Sequence, residues 1–172
     1  MRRAFTMVEL IIVIGIIGLL AAIIIPSFGI WRERTVVRSA ARDIESVLKL
    51  ARSKSLASED GAKYGVAFYG GNSQYFNLCK NTSNDSTCTT YISSHDLPVS
   101  LAFCSTALTA PVFFKKLTGE YEGASADLII YFYNKNKIAS PCGSSSLTTE
   151  CLSAKTCGGV TITKSGVIYE KQ

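Results

Sequence analysis

An uninterrupted apolar run dominates the N-terminal part of the chain. No residue from Leu10 to Ile25 carries a polar side chain, and three of the five residues in Phe5–Glu9 are apolar as well. An apolar helix of about 21 residues is roughly 30 Å long, which matches the hydrocarbon core of a bilayer. We therefore predict that residues 5–32 form a helix that is buried in lipid or among other chains.

One carboxylate, that of Glu9, lies near the start of this run. A charged group costs about 2.5–3.5 kcal/mol at the centre of a membrane on insertion scales, and less near its edge. Glu9 either extends to the membrane edge or is paired with a cation, which makes a carboxylate tolerable in apolar surroundings. We interpret Glu9 as a functional residue that needs a cationic partner.

The helical pattern changes after the apolar run. Pro26 and Gly29 permit a kink, because proline lacks an amide donor and glycine is flexible. Apolar residues then recur at three- and four-residue steps, so residues 33–60 are predicted to form an amphipathic helix that ends before Gly61. The apolar stripe consists of Val37, Ala40, Ala41, Ile44, Val47, Leu48 and Ala51.

After Gly61 the apolar residues alternate, which is typical of β-strands. Because these strands follow one long N-terminal helix, we predict an α+β fold in which the helix packs on an antiparallel sheet. The globular α+β domain is predicted to cover residues 33–172, and its β-rich region residues 61–172. The predicted strands are Ala62–Tyr69 and Ser73–Lys80 as a hairpin, Asp96–Phe103, Asp127–Tyr133 in the centre, and Val160–Lys164 and Val167–Lys171 as a terminal hairpin.

Six cysteines lie in the last hundred residues and none lies in the helix. An even number in a domain beyond a membrane indicates disulfides formed in an oxidising compartment. Several pairings are open, and the one preferred here closes two short loops. It consists of Cys79–Cys88, Cys151–Cys157 and Cys104–Cys142. Paired spacings such as C-x-x-C are missing from the sequence, so we expect no metal site and no cofactor.

The first four residues, Met1–Ala4, form a short basic leader. A secretory signal would have its small-residue cleavage site after the apolar run, and Ile25 is followed by Pro26, Ser27 and Phe28 instead. The leader charges predict an uncleaved single-pass anchor with a cytoplasmic N-terminus and an exported domain. Without Arg2 and Arg3 the net charge falls from +5 to +3, which is too small to indicate nucleic-acid binding by itself.

A basic leader followed by Phe5-Thr-Met-Val-Glu9 at the head of a long apolar helix resembles a type IV prepilin signal. The resemblance implies that a prepilin peptidase cleaves between Ala4 and Phe5 and methylates the new amine of Phe5. It also implies that Glu9 pairs with the Phe5 amine of a neighbouring subunit, which would fix the axial register between subunits. The family usually has glycine before the cleaved bond, so Ala4 predicts slower processing.

Two further stretches resemble the GspH/FimT group of minor pseudopilins and minor pilins. They are Ala51–Ala57 at the end of the helix and Gly158–Tyr169 in the terminal hairpin. The resemblance implies a structural, non-enzymatic subunit of a type IV pilus or a type II secretion pseudopilus, at or near the tip. Its partners would be the prepilin peptidase, other major and minor pilins or pseudopilins, and an inner-membrane assembly platform.

Two alternatives remain open at this stage. Lys164 and Lys171 near the terminal hairpin leave room for a minor pilin that binds DNA, although Glu170 dilutes this basic patch. The other alternative is a membrane-anchored periplasmic binding domain that never polymerises. An enzyme is not expected. Adjacent residues on one strand cannot converge on one site to assemble a nucleophile, a base and an oxyanion hole, and this applies to Ser93, Ser94, His95 and Asp96.

Overall fold

The computed structural model describes residues 6–70, 74–83, 85–104, 110–123, 126–137 and 157–171, and for residues 23–30 and 171 the backbone alone. The chain divides into two compact units, Met1–Thr35 and Val36–Gln172. We call the second unit the head. Helix α1, Met7–Leu56, contributes to both units.

Helix α1 has the 50 residues expected from the sequence. Helical backbone continues through Pro26 and Gly29, so the kink at these residues stays a prediction. In the described part of the chain, no helix is both long and apolar enough to cross a membrane.

In the head, α1 buries the predicted apolar stripe against the sheets. All seven stripe residues are buried and belong to the main hydrophobic core. Each of its larger members, the valines, the isoleucine and the leucine, contributes about 1.5–3 kcal/mol on burial, so this face stabilises the position of the helix. After Leu56 the chain turns through a short 3₁₀ segment, Glu59–Gly61, and Gly61 has the positive φ of +61° that favours glycine.

The described strands form two four-stranded antiparallel sheets, which confirms the α+β class. The first sheet has the order β3-β2-β1-β5 and the second the order β4-β6-β7-β8. The first contains β1 (Lys63–Tyr69), β2 (Tyr75–Asn81), β3 (Thr90–Asp96) and β5 (Val112–Phe113), and the second β4 (Leu101–Phe103), β6 (Leu128–Asn134), β7 (Cys157–Ile162) and β8 (Ile168–Lys171).

Three of the predicted strand arrangements are confirmed. The first hairpin pairs β1 with β2, from Lys63 opposite Asn81 to Tyr69 opposite Tyr75. Strand β6 lies inside its sheet, with β4 on one side and β7 on the other. The terminal hairpin pairs β7 with β8, and β7 begins three residues earlier than predicted.

The prediction of one strand over Asp96–Phe103 is wrong. The chain leaves β3 at Asp96, turns at Pro98, and enters β4 at Leu101 in the other sheet. Pro98 has no amide to donate to a sheet, and its carbonyl accepts the amide hydrogen of Leu101 (2.8 Å), which closes the turn. The sequence pattern also missed β3, because its seven residues are mostly polar and lie exposed at a sheet edge.

The predicted disulfide between Cys79 and Cys88 is confirmed and closes the polar loop after β2. Cys104 and Cys157 are disulfide-bonded as well. They flank β6 on opposite sides, beside Tyr131 and Tyr133, so their Cα atoms are about 12 Å apart, beyond the span of a disulfide. Cys142 and Cys151 lie outside the described residues, and the pairings Cys104–Cys142 and Cys151–Cys157 stay predictions.

The end of α1 is tied to the rest of the head by polar contacts. The Ser55 hydroxyl is fully buried, accepts the amide hydrogen of Tyr64 (2.8 Å) and donates to the Tyr64 carbonyl (3.2 Å). Arg52 donates through Nε to the Gly119 carbonyl (3.2 Å) and through Nη2 to the Ser165 carbonyl (3.3 Å). These contacts give Arg52 and Ser55 of the Ala51–Ala57 stretch a structural role.

Candidate functional site

The N-terminal part of α1 exposes a continuous apolar surface. The large apolar side chains from Met7 to Leu20 are between 45% and 79% exposed. We call this the apolar helix surface. Soluble monomers rarely leave large contiguous apolar patches in water, so it is the part of the first unit that requires a covering partner. It consists of Met7, Val8, Leu10, Ile11, Ile12, Val13, Ile14, Ile16, Ile17, Leu19 and Leu20.

Glu9 is hydrogen-bonded at the first turn of α1. The Thr6 amide and the Thr6 hydroxyl both donate to Glu9 Oε2 (3.1 Å each). In return, the Glu9 amide donates to Thr6 Oγ1 (3.2 Å). This reciprocal arrangement is a capping box, in which a Thr before the helix and a Glu three residues later satisfy each other's free amides.

The capping box orients the carboxylate that the sequence singled out. It holds Glu9 at the positive end of the helix dipole, where a negative charge is favoured. Both bonds that Thr6 donates to the carboxylate end at Oε2, so among the described residues Oε1 is the oxygen that we expect to bind a second partner. Sequence reasoning missed the capping role of Thr6, although the Thr6-x-x-Glu9 spacing is itself the signature of a capping box.

The two predicted processing residues, Ala4 and Phe5, lie outside the described residues. Cleavage between them, methylation of Phe5 and pairing of its amine with Glu9 therefore stay predictions.

Ser93, His95 and Asp96 lie on the edge strand β3. Ser93 Oγ and His95 Nε2 are 3.1 Å apart, and the His95 ring stacks on Phe76 with 5.4 Å between ring centroids. Asp96 is the next residue on the strand, so its side chain is on the opposite face. His95 is half-buried in this stack, which is a packing role.

Lys164, one of the two lysines that suggested DNA binding, is directed towards the protein itself. Its Nζ donates to the Gly123 carbonyl (2.6 Å) and lies 6.0 Å from the centroid of the Tyr121 ring. For Lys171 the structure describes the backbone alone. A cation used in this way contributes little to a phosphate-binding surface, so the structure gives no support to the DNA alternative.

A cluster of three tyrosines lies on the face of the first sheet that is turned away from α1. The Tyr69 and Tyr75 rings are stacked with 4.6 Å between centroids, and the Tyr69 and Tyr91 hydroxyls are 2.7 Å apart. The hydrogen bond to Tyr91, followed by burial, raises the pKa of Tyr69 to about 12. Tyr91 itself is about half exposed.

Tyr91→Phe is expected to lower the pKa of Tyr69 from about 12 towards the ordinary value of 10.0. The raised pKa in the folded state stabilises the fold below pH 10, and this contribution is lost as the pH rises from 10 to about 12. An ultraviolet absorbance titration measures the change when each protein is compared with its Tyr69→Phe derivative. Tyr169→Phe, on β8, is the control and should leave the Tyr69 titration unchanged. An unaltered Tyr69 titration in Tyr91→Phe would contradict the assigned hydrogen bond.

No protein-family model matches the chain. Two curated fimbrial proteins of Pseudomonas aeruginosa are each 37% identical to it over 59 residues, which cover 34% of this chain and 38% of theirs. The chain thus matches well under half the length of these curated relatives.

The fold is similar to crystal structures of the type IV minor pilin FimU of Pseudomonas aeruginosa strain PAO1. One crystal form has a TM-score of 0.56 at 13% identity and covers 83% of this chain and 92% of the other. A second has a TM-score of 0.54 at 12% identity, with coverage of 78% and 92%.

At this level of identity the structural similarity establishes the fold. Its elements are the long N-terminal helix and the antiparallel strands on which the helix packs. The similar proteins are named as a type IV minor pilin and as fimbrial proteins, which is in line with the prediction that the chain is not an enzyme. The chain therefore has a fold similar to that of the type IV minor pilin FimU and, over one stretch of 59 residues, is similar in sequence to the curated fimbrial proteins.

Proposed function

We propose that this protein is a minor pilin or pseudopilin, a structural subunit that assembles with other pilins into a type IV pilus or a type II secretion pseudopilus, at or near the tip. The observation that carries the proposal is the apolar helix surface, whose side chains from Met7 to Leu20 are exposed in the single chain. Each Å² of apolar area removed from water contributes about 25 cal/mol, so covering this surface stabilises the assembled subunit.

Two environments cover such a surface in turn. Before assembly the helix lies in the inner membrane, with the leader on the cytoplasmic side and the head in the periplasm. After the prepilin peptidase cleaves between Ala4 and Phe5 and methylates the Phe5 amine, the assembly platform transfers the subunit into the filament. There the helices of neighbouring subunits cover one another.

Glu9 fixes the axial position that the subunit takes relative to its neighbours in the filament. Its carboxylate is already oriented at the start of α1 by Thr6, and in the proposed filament this carboxylate binds the Phe5 amine of the neighbouring subunit. A charged amine and a carboxylate in apolar surroundings stabilise each other only when they meet. Axial positions that leave them apart are therefore disfavoured, which selects one register.

Mass spectrometry of the N-terminus of protein purified from its native host tests the proposal. We expect the mature chain to begin at methylated Phe5, and we expect it to co-purify with filaments sheared from the cell or isolated from the periplasm. An N-terminus at Met1 on all of the membrane-bound protein would contradict the proposal and favour the non-polymerising anchored domain instead.

Ala4→Gly is a useful companion variant, because it restores the residue that is usual before the cleaved bond. We expect it to be processed faster than the wild type in a pulse-chase experiment. If neither the wild type nor this variant is cleaved in cells whose prepilin peptidase is active on another pilin, processing by this enzyme is excluded.

A further inference from the structure

Three exposed residues lie within one turn of α1, after its apolar run. Trp31, the only tryptophan in the chain, is 65% exposed, and the guanidinium-bearing residues Arg32 and Arg34 are exposed beside it. We call these three residues the Trp–Arg collar. Glu33, the acidic residue among them, is half-buried.

The collar occupies one side of the helix. At about 100° per residue, Trp31, Arg32 and Arg34 fall within an arc of about 160°, and Glu33 points to the opposite side. The exposed side of this turn therefore combines one large amphipathic ring with two cations, and its negative charge is turned away from them.

The position of the collar along α1 fits the thickness of a bilayer. Trp31 follows Glu9 by 22 positions, which is about 33 Å of helix at 1.5 Å per residue, and a hydrocarbon core is about 30 Å thick. When Glu9 lies at one boundary of the core, the collar lies just outside the other. Tryptophan is enriched at this depth, because its ring is apolar and its indole N–H is polar.

We propose that the Trp–Arg collar binds the phospholipid headgroup layer on the periplasmic side of the inner membrane and fixes the depth of the subunit before assembly. This inference rests on the membrane stage of the proposed function. Guanidinium groups bind phosphate oxygens through paired hydrogen bonds, so the two arginines are suited to lipid phosphates. The apolar run Leu10–Ile25 precedes the collar along α1 and enters the acyl chains in the membrane stage, which makes a lipid surface the partner with matching chemistry on both sides.

The single tryptophan makes this inference directly measurable. The full chain is reconstituted in vesicles of phosphatidylethanolamine and phosphatidylglycerol that carry a fluorescence quencher either at the headgroup or deep in the acyl chain. We expect Trp31 to be quenched several-fold more by the headgroup quencher than by the deep one. The matched control is the double variant Trp31→Phe/Leu19→Trp, because position 19 is about 15 Å from Glu9, near the middle of the core. The tryptophan introduced at position 19 should be quenched more by the deep quencher than by the headgroup quencher.

The possible outcomes separate this inference from the proposed function. One outcome is that the protein floats with the vesicles but Trp31 is quenched most by the deep probe, or by neither probe. In that case headgroup binding by the collar is wrong, and the membrane stage of the proposed function is retained. If the protein does not float with the vesicles at all, both are overturned. Arg32→Gln/Arg34→Gln should shift Trp31 quenching towards the deep probe by at least two-fold, and an unchanged depth profile would contradict the role of the arginines.

Discussion

Gly166→Ala is expected to destabilise the head by about 3 kcal/mol, which lowers its unfolding midpoint by about 10 °C. Gly166 has a φ of +80° in the turn between β7 and β8, a conformation that costs an L-residue energy. A Cβ atom there would lie 2.0 Å from the Gly119 carbonyl oxygen and 2.9 Å from Arg52 Nε. The backbone oxygen cannot yield as a flexible side chain would, so the turn and the Arg52 contacts must shift together.

Gly61→Ala is the matched control for this prediction. Gly61 has a similar φ of +61°, and an added Cβ atom there meets nothing within 4 Å. Gly61→Ala therefore carries the cost of backbone conformation alone, about 1–2 kcal/mol. Thermal unfolding of the full chain in mild detergent, followed by circular dichroism, compares the two variants. Equal midpoints for Gly166→Ala and Gly61→Ala would contradict the close contact between the Gly166 turn and the Gly119 loop.

Glu9→Ala is expected to reduce incorporation into filaments by about a hundred-fold while leaving the unfolding of the head unchanged. Removing one partner of an ion pair in apolar surroundings costs about 3 kcal/mol or more, because the other charge is left uncompensated, and 1.4 kcal/mol corresponds to a factor of ten. The measurement is the amount of protein that co-purifies with sheared filaments, normalised to the amount in the membrane. Glu9 lies in the first unit, so the head provides an internal control for folding.

The capping box makes a sharper version of this experiment possible. Glu9→Gln keeps the capping geometry, since glutamine serves in a capping box as glutamate does, but it removes the negative charge. We expect Glu9→Gln to fail in assembly nearly as severely as Glu9→Ala. Normal incorporation of Glu9→Gln would refute the charge-pairing role and assign Glu9 to helix capping alone. Thr6→Ser, which preserves the cap, should assemble normally.

The structure changes the interpretation of Glu9 without removing it from the candidate site. The sequence marked Glu9 as a carboxylate in an apolar run. Its hydrogen bonds with Thr6 show that the residue also begins the helix, so a variant that abolishes both roles cannot separate them. The two substitutions at Glu9 are needed for this reason.

Sequence reasoning worked where local pattern determines local structure. The stripe from Val37 to Ala51 identified the buried face of α1, because a helix can bury a face only if its apolar residues repeat at helical spacing. The hairpin of β1 and β2 was predicted from alternation on both sides of a glycine-rich turn. The Cys79–Cys88 disulfide followed from a short polar loop between two cysteines.

Sequence reasoning failed where the role of a residue depends on contacts with a distant segment of the chain. Strand β3 has few apolar residues to mark it, and it exists because β2 offers an edge on which it can pair. The change of sheet at Pro98 depends on two sheets that no local pattern specifies. The buried hydroxyl of Ser55 is satisfied by the backbone of Tyr64, nine residues later.

The sequence by itself determined the long helix with its apolar and amphipathic halves, most of the strands and the position of the single carboxylate near the helix start. Periodicity and spacing are sufficient for these features, because each depends on residues within a few turns of one another. Only the tertiary structure decided the division of strands between two sheets and the contact that restricts residue 166 to glycine. Both features join segments far apart in the chain, so they require the positions of the folded backbone.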